Sequence, residues 1–144
     1  MKTGKQDIIK NEYTIPASTD SLKDVREIIE TACAKYKISK KTVYEITLAV
    51  DEACTNIIKH AYHNSSDKQI NISLTVSEKL FEIKLTDTGE HFDPSKIPNP
   101  DIRESQKQKK GGGLGVFLMK KIMDEVKYKT IGNKNELTLI KKLM

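Results

Sequence analysis

The sequence lacks any long apolar run: its uncharged hydrophobic stretches last a few residues, far short of the roughly 20 that span a bilayer. Lysines near the N-terminus are followed by no apolar segment of the kind a secretion signal carries. Membrane insertion and export are therefore not expected, and a cytoplasmic location is. Cysteine is equally sparse. Cys33 and Cys54 sit in helical patterns without CxxC spacing, which argues against a disulfide framework and for reduced thiols in the core. His60, His63 and His91 have too few carboxylates around them in the sequence to suggest zinc. Internal repeats are missing, and so is the alternating strand–helix order of Rossmann and P-loop proteins.

What remains is a chain of 144 residues, close to the usual size of one domain. Hydrophobic residues make up 37% and charged residues 31%, but the apolar positions recur periodically, as a folded domain requires and a disordered tract does not. The formal charge is +5, but the 25 basic residues are spread along the chain and mixed with 20 acidic ones, so direct nucleic-acid binding is not expected.

Read along the chain, Ile8 to Ile15 form a strand ended by Pro16, and Ser18 or Thr19 caps a helix with Leu22, Val25, Ile28, Ile29 and Ala32 inward. Ser39 caps a second helix whose stripe is Val43, Ile46, Val50, Ala53, Ile57 and Ala61. Two alternating runs, Ile70 to Val76 and Phe81 to Leu85, make a hairpin around Ser77 to Lys79. The stretch from Thr88 to Gly113 is aperiodic, holds Pro94, Pro98 and Pro100, and ends in glycines; a loop this long in a small domain is usually functional or disordered. A helix follows Gly115, and two strands, about Lys127 to Ile131 and Leu137 to Leu143, close the chain through Gly132 and Asn133. This order predicts an α+β two-layer sandwich, a mixed, largely antiparallel sheet with its helices on one face.

Three features carry chemistry. Glu52 and Asn56 lie four residues apart, on one helix face bordering the apolar stripe. There an amide oxygen can hold a hard cation and a carboxylate can deprotonate a hydroxyl. Asp87 continues the parity of Phe81, Ile83 and Leu85, so it points inward, and the following Thr88-Gly89 lets the backbone turn close to a flat ligand. The run Gly111-Gly112-Gly113-Leu114-Gly115 opens a helix, whose free N–H groups suit an anion such as phosphate. No Lys-Ser or Lys-Thr follows it, so it is not a Walker motif.

In this order the three features resemble the N, G1 and G2 boxes of the GHKL ATPase superfamily, whose members share the Bergerat ATP-binding fold. Within it, AVDEACTNIIKHAY, DTGEHFDP and GGGLGVFLMKKIMDEV look like the small anti-sigma-factor serine/threonine kinases. The resemblance covers about residue 12 to the end. It implies a single ATP-binding kinase domain over residues 1–144, with ATP and Mg2+ as cofactors and a lid at about 92–113. Glu52 would be the general base, Asn56 the Mg2+ ligand, Asp87 the acceptor for the adenine amino group and Gly89 the residue under the base. The backbone of Gly111, Gly112, Gly113, Leu114 and Gly115 would receive the phosphates, Lys109, Lys110 and Arg103 would face the γ-phosphate, and Thr138 would meet the adenine side. His91 stands where many superfamily members have a second glycine, and Phe92-Asp93 matches the anti-sigma branch. The implied partners are a STAS-domain anti-sigma-factor antagonist as substrate, a sigma factor that is sequestered, and a second copy in a homodimer, for which the first strand offers an edge. The alternatives are a nucleotide-dependent module that sequesters a partner without phosphotransfer and, less well matched, a sensor histidine kinase; no upstream phosphoacceptor helix pair precedes the domain here.

Overall fold

The structure is a computed structural model and describes residues 8–96 and 112–143. Its elements are β1 (Ile9–Pro16), α1 (Leu22–Ala34), α2 (Lys40–Asn56), β2 (Gln69–Val76), β3 (Leu80–Asp87), α3 (Gly112–Ile122), β4 (Glu125–Ile131) and β5 (Lys134–Lys142). Short 3-10 turns, Thr19–Ser21 and Pro94–Lys96, lie before α1 and after β3.

The local signals act largely as the sequence predicts. Ser18 Oγ accepts from Asp20 N and Ser39 Oγ from Thr42 N, each taking up a backbone donor at a helix start that has no partner within the helix. Pro16 is the last residue of β1 rather than the residue after it, which an edge strand tolerates because the missing N–H removes no inner ladder bond. β4 and β5 are joined by the two-residue turn Gly132-Asn133, with Gly132 at φ +60°, a left-handed value that glycine adopts without the cost a Cβ brings.

The sheet order is β1-β2-β3-β5-β4. Every pairing is antiparallel, so the sheet is simpler than the mixed one expected. The reason is that β5 folds back between β3 and β4, separating the two strands whose directions agree. Strand alternation then sorts the faces. Ile70, Ile72, Leu74, Phe81, Ile83, Leu85, Leu137 and Leu139 are buried against the helices. Ser73, Lys84, Thr86, Glu136 and Thr138 are half-buried on the other face and Asn71 is exposed there. From α1, Val25 and Ile29 complete the core, from α2 Ile46, Val50 and Ala53, and from α3 Val116 and Met119. Burying one such side chain contributes about 1.5–3 kcal/mol. Cys33 and Cys54 are free and buried in this core, where burial pushes their thiols up to about 11 and about 12. No helix among the described residues is long and apolar enough to cross a membrane.

Candidate functional site

Helix α2 positions the first two candidate residues. Its inward stripe through Ile46, Val50 and Ala53 is anchored in the core, and Glu52 and Asn56 flank that stripe one turn apart. At Asn56 the α-helix gives way to a π-helical turn, Ile57–Ala61, a widening of the backbone often seen at functional sites. Asn56 is buried, and its Nδ2 makes no hydrogen bond of good geometry among the described residues, although it lies near the Glu52 carboxyl. The Glu52 carboxyl is half-buried, and burial raises its pKa, opposed in part by the nearby Asn56 amide and the Lys59 charge.

The start of α3 lies against this carboxyl group. A Cβ on Gly115 would overlap Glu52 Cδ and both carboxylate oxygens, so a side chain at 115 would displace the carboxyl group from this position. Gly112, Gly113, Leu114 and Gly115 form the first turn of α3, and the N–H groups of a first turn have no partners within the helix. Glu52 and the glycine-rich turn thus meet, with Asn56 one turn further along α2, and the helix starts at Gly112 and includes the glycines rather than following them. Arg103, Lys109, Lys110 and Gly111 lie outside the described residues.

The third candidate closes β3. Asp87 is 4% exposed, and its Oδ1 accepts from Gly89 N at 2.8 Å and from Asn135 Nδ2 at 2.9 Å. Burial raises its pKa, while these two hydrogen bonds and the nearby His91 hold it down. Gly89 packs so closely on Ala61 that a Cβ would overlap the Ala61 carbonyl. Tyr62 secures the same turn: its hydroxyl accepts from Thr88 N at 2.9 Å and donates to Gln69 O at 2.6 Å.

Thr138 does not join this group. It pairs with Lys84 and Lys127 on the opposite face of the sheet, because Leu137 and Leu139 on either side of it point into the core. The β5 residue that does reach Asp87 is Asn135, directly opposite it in register and missed in the sequence reading. The signal was present: Asn135 shares the parity of Leu137 and Leu139, which makes it an inward polar residue, and an inward amide needs partners.

Residues 90–96 cover the space between Asn56 and Asp87. Phe92 stacks on His60 with ring centroids 4.7 Å apart and 15° between planes, and its backbone N–H donates to Tyr128 Oη at 3.1 Å. His91 Nδ1 meets Asn135 Oδ1 at 2.7 Å, and His63 Nε2 meets Glu90 Oε2 at 2.6 Å. The cavity left among Asn56, Ile57, Asp87, Phe92, Pro94 and Tyr128 is only about 10 Å³, about the least that holds a water molecule. Larger grooves lie elsewhere, one of about 720 Å³ along α1 and α2 beside Tyr44 and Leu48 and one of about 470 Å³ on the polar sheet face. Neither is lined by Glu52, Asn56, Asp87 or the glycines, so chemistry rather than size identifies the site. Among the described residues no group of three or more His, Cys, Asp or Glu side chains could hold a metal ion.

Comparison with known proteins identifies the family and the fold. Residues 15–141 match the family described as the histidine kinase-like ATPase domain. The chain is 32% identical over 120 residues to the serine-protein kinase RsbW of Oceanobacillus iheyensis, covering 81% of this chain and 76% of that one. To RsbW of Staphylococcus aureus it is 34% identical over 127 residues, covering 85% and 79%. Among solved structures, a chain of the SiaB-SiaC complex from Pseudomonas aeruginosa superposes with a TM-score of 0.70 at 14% identity, over 94% of this chain and 90% of that one. The structure of the RsbU and RsbW domains of Rv1364c from Mycobacterium tuberculosis matches with a TM-score of 0.65, also at 14% identity. There the match covers 94% of this chain, which spans about a third (32%) of that longer protein. At this identity the two structures speak for the fold alone.

Proposed function

The chain belongs to the family of histidine kinase-like ATPase domains, and on that footing we propose that it is an ATP-dependent serine/threonine protein kinase acting as an anti-sigma factor. In this reading it phosphorylates a STAS-domain antagonist in one state and sequesters a sigma factor in the other. The observation that carries the kinase reading is the contact of Glu52 with the start of α3. A half-buried carboxylate against a turn suited to phosphates stands where transfer to a hydroxyl needs a base.

The residues suit Mg-ATP. Asn56 places a buried amide one turn along α2 from Glu52, and an amide oxygen is a ligand for a hard cation. Asp87 is a buried acceptor braced by two N–H donors, suited to an amino group of a base. The turn Gly112 to Gly115 offers backbone N–H groups to an anion. Bound Mg-ATP supplies a transferable phosphoryl group whose charge the metal partly offsets.

The protein's own contribution is then as follows. Glu52 takes the proton from the serine or threonine hydroxyl of the substrate protein, and a carboxyl pKa raised by burial brings it nearer the neutral range in which a base works best. Asn56, one turn on, orients the cation side of the site. Glycine at 115 keeps the carboxylate in place by omitting a side chain. Residues 90–96 must move for a base to reach Asp87, since the present cavity admits none, and we assign residues 92–96 to the near end of a lid at about 92–113. Lys109 and Lys110 are assigned to the γ-phosphate, and a homodimer through β1 fits the exposed edge of the sheet.

The test is transfer of γ-labelled phosphate from Mg-ATP to small STAS-domain proteins of the source genome. Label on one of them supports the kinase and names its substrate. ATP binding with no transfer to any of them moves the function to nucleotide-dependent sequestration.

A further inference from the structure

Asn135 is 1% exposed and stands across the β3–β5 ladder from Asp87. Its two ends do different things. Nδ2 donates to Asp87 Oδ1 at 2.9 Å and to Gly89 O at 2.8 Å. Oδ1 meets His91 Nδ1 at 2.7 Å and accepts from Thr130 Oγ1 at 3.3 Å. The amide cannot be reversed: its oxygen would then face a carboxylate oxygen and a carbonyl oxygen, two acceptors opposed without a hydrogen between them. The network therefore fixes an N–H on Asp87.

We propose that Asn135 is a positioning residue for base recognition, which holds Asp87 as an ionised acceptor and thereby sets a preference for adenine over guanine. This rests on the reading of the site as an ATP site. Asp87 is pulled two ways. Burial favours its protonated form, while donors from Asn135 and Gly89 and the charge of His91 favour the carboxylate. Gly89 N–H belongs to the backbone and His91 to the covering segment, so Asn135 is the side chain that braces Asp87 from the sheet itself. An ionised Asp87 can only accept, which suits an amino group and opposes the carbonyl that guanine carries in its place. A protonated Asp87 could donate, and the distinction would fade. Among the described residues both Asn135 and Gly89 bond to Oδ1, which leaves Oδ2 for the ligand.

The test uses the full chain with two variants, Asn135→Leu, which removes the amide at similar volume, and Asn135→Asp, which keeps the size and sets a second carboxylate against Asp87. Dissociation constants for ATP and GTP are measured by calorimetry, and the Asp87 carboxyl carbon is titrated by NMR without nucleotide. The titrating groups facing Asp87 are His91 from the covering segment and Tyr128 from β4. Wild type should prefer ATP. In both variants the ATP/GTP ratio should narrow by about tenfold or more, the effect of one unmet polar contact, and the Asp87 midpoint should move up, most in Asn135→Asp, where two carboxylates must share a proton. A folded variant with an unchanged ratio and an unchanged midpoint overturns the proposal, as does equal loss of both nucleotides with the midpoint unmoved. If Asn135→Leu fails to fold, Asn135→Asp decides by the same two readouts. Wild type that binds neither nucleotide would refute the ATP reading instead, while the titration without nucleotide still decides whether Asn135 governs Asp87.

Discussion

Gly115→Ala separates the two roles of the α2–α3 contact. The added Cβ would overlap three atoms of the Glu52 carboxyl group, where ordinary contact needs about 3.5–4.0 Å, so that group must move by about an ångström or more. The atoms in the way are the end of a flexible side chain, half-buried, and the least strained response is for Glu52 to swing toward solvent. Two consequences have opposite signs. Stability should hold or rise, because alanine is favoured over glycine within a helix by up to about 1 kcal/mol, and a carboxylate leaving a partly buried position loses a desolvation penalty, a gain that solvent screening keeps small. The melting temperature should then rise by up to about 3 °C. Phosphotransfer should fall by about 10²-fold, the usual consequence of misplacing a catalytic group by an ångström, while ATP is still bound through Asp87. Thermal melting, calorimetry and transfer kinetics on one preparation measure all three. A variant as stable as wild type that transfers phosphate at the wild-type rate would refute the placement of Glu52 as the base against α3.

Other perturbations read other parts of the site. Phe92→Ala removes the stack on His60, worth about 0.5–1.5 kcal/mol, and by releasing the covering segment should tighten ATP binding roughly two- to tenfold in calorimetry; weaker binding would mean that Phe92 contacts the ligand instead. Tyr62→Phe strips the hydroxyl from both Thr88 N and Gln69 O and should lower stability by about 1–3 kcal/mol in urea unfolding, whereas an unchanged midpoint would show that the turn after Asp87 is held without it. The raised pKa of Asp87 means that the folded state binds its proton more tightly than the unfolded chain. The associated stability is full below the unfolded carboxyl value of about 3.9 and is lost as pH rises through the raised folded value. Asp87→Asn should therefore be more stable than wild type at pH 7 and lose that advantage below about pH 4, while binding ATP more weakly; equal stability at both pH values would contradict the burial argument.

Much of this site was legible because its signals are local. The parity of Phe81, Ile83 and Leu85 carries Asp87 inward, and Ser39 caps α2 so that Glu52 and Asn56 emerge along one border of the apolar stripe. The same parity rule, applied to Leu137 and Leu139, turns Thr138 outward and Asn135 inward, but parity alone does not say that Asn135, between Lys134 and Glu136 just past the turn, faces Asp87 across the ladder. The purely antiparallel sheet depends on where β5 inserts, a long-range choice that strand patterns do not encode. The same holds for the closure of residues 90–96, which arises from His60, Tyr128 and Asn135 on three separate elements. The π-helical turn after Asn56 leaves no mark on an apolar stripe that continues through Ile57 and Ala61. The glycine run signals an anion site, but its need for glycine at 115 comes from Glu52, more than sixty residues earlier in the chain.

The central claim is that Glu52 performs phosphotransfer in a site that binds ATP by other means, and single-turnover transfer from Mg-ATP by wild type and Glu52→Gln tests it most directly. The account predicts ATP affinity within a few-fold of wild type and transfer slower by about 10²- to 10⁴-fold. Transfer at the wild-type rate with ATP bound would contradict it.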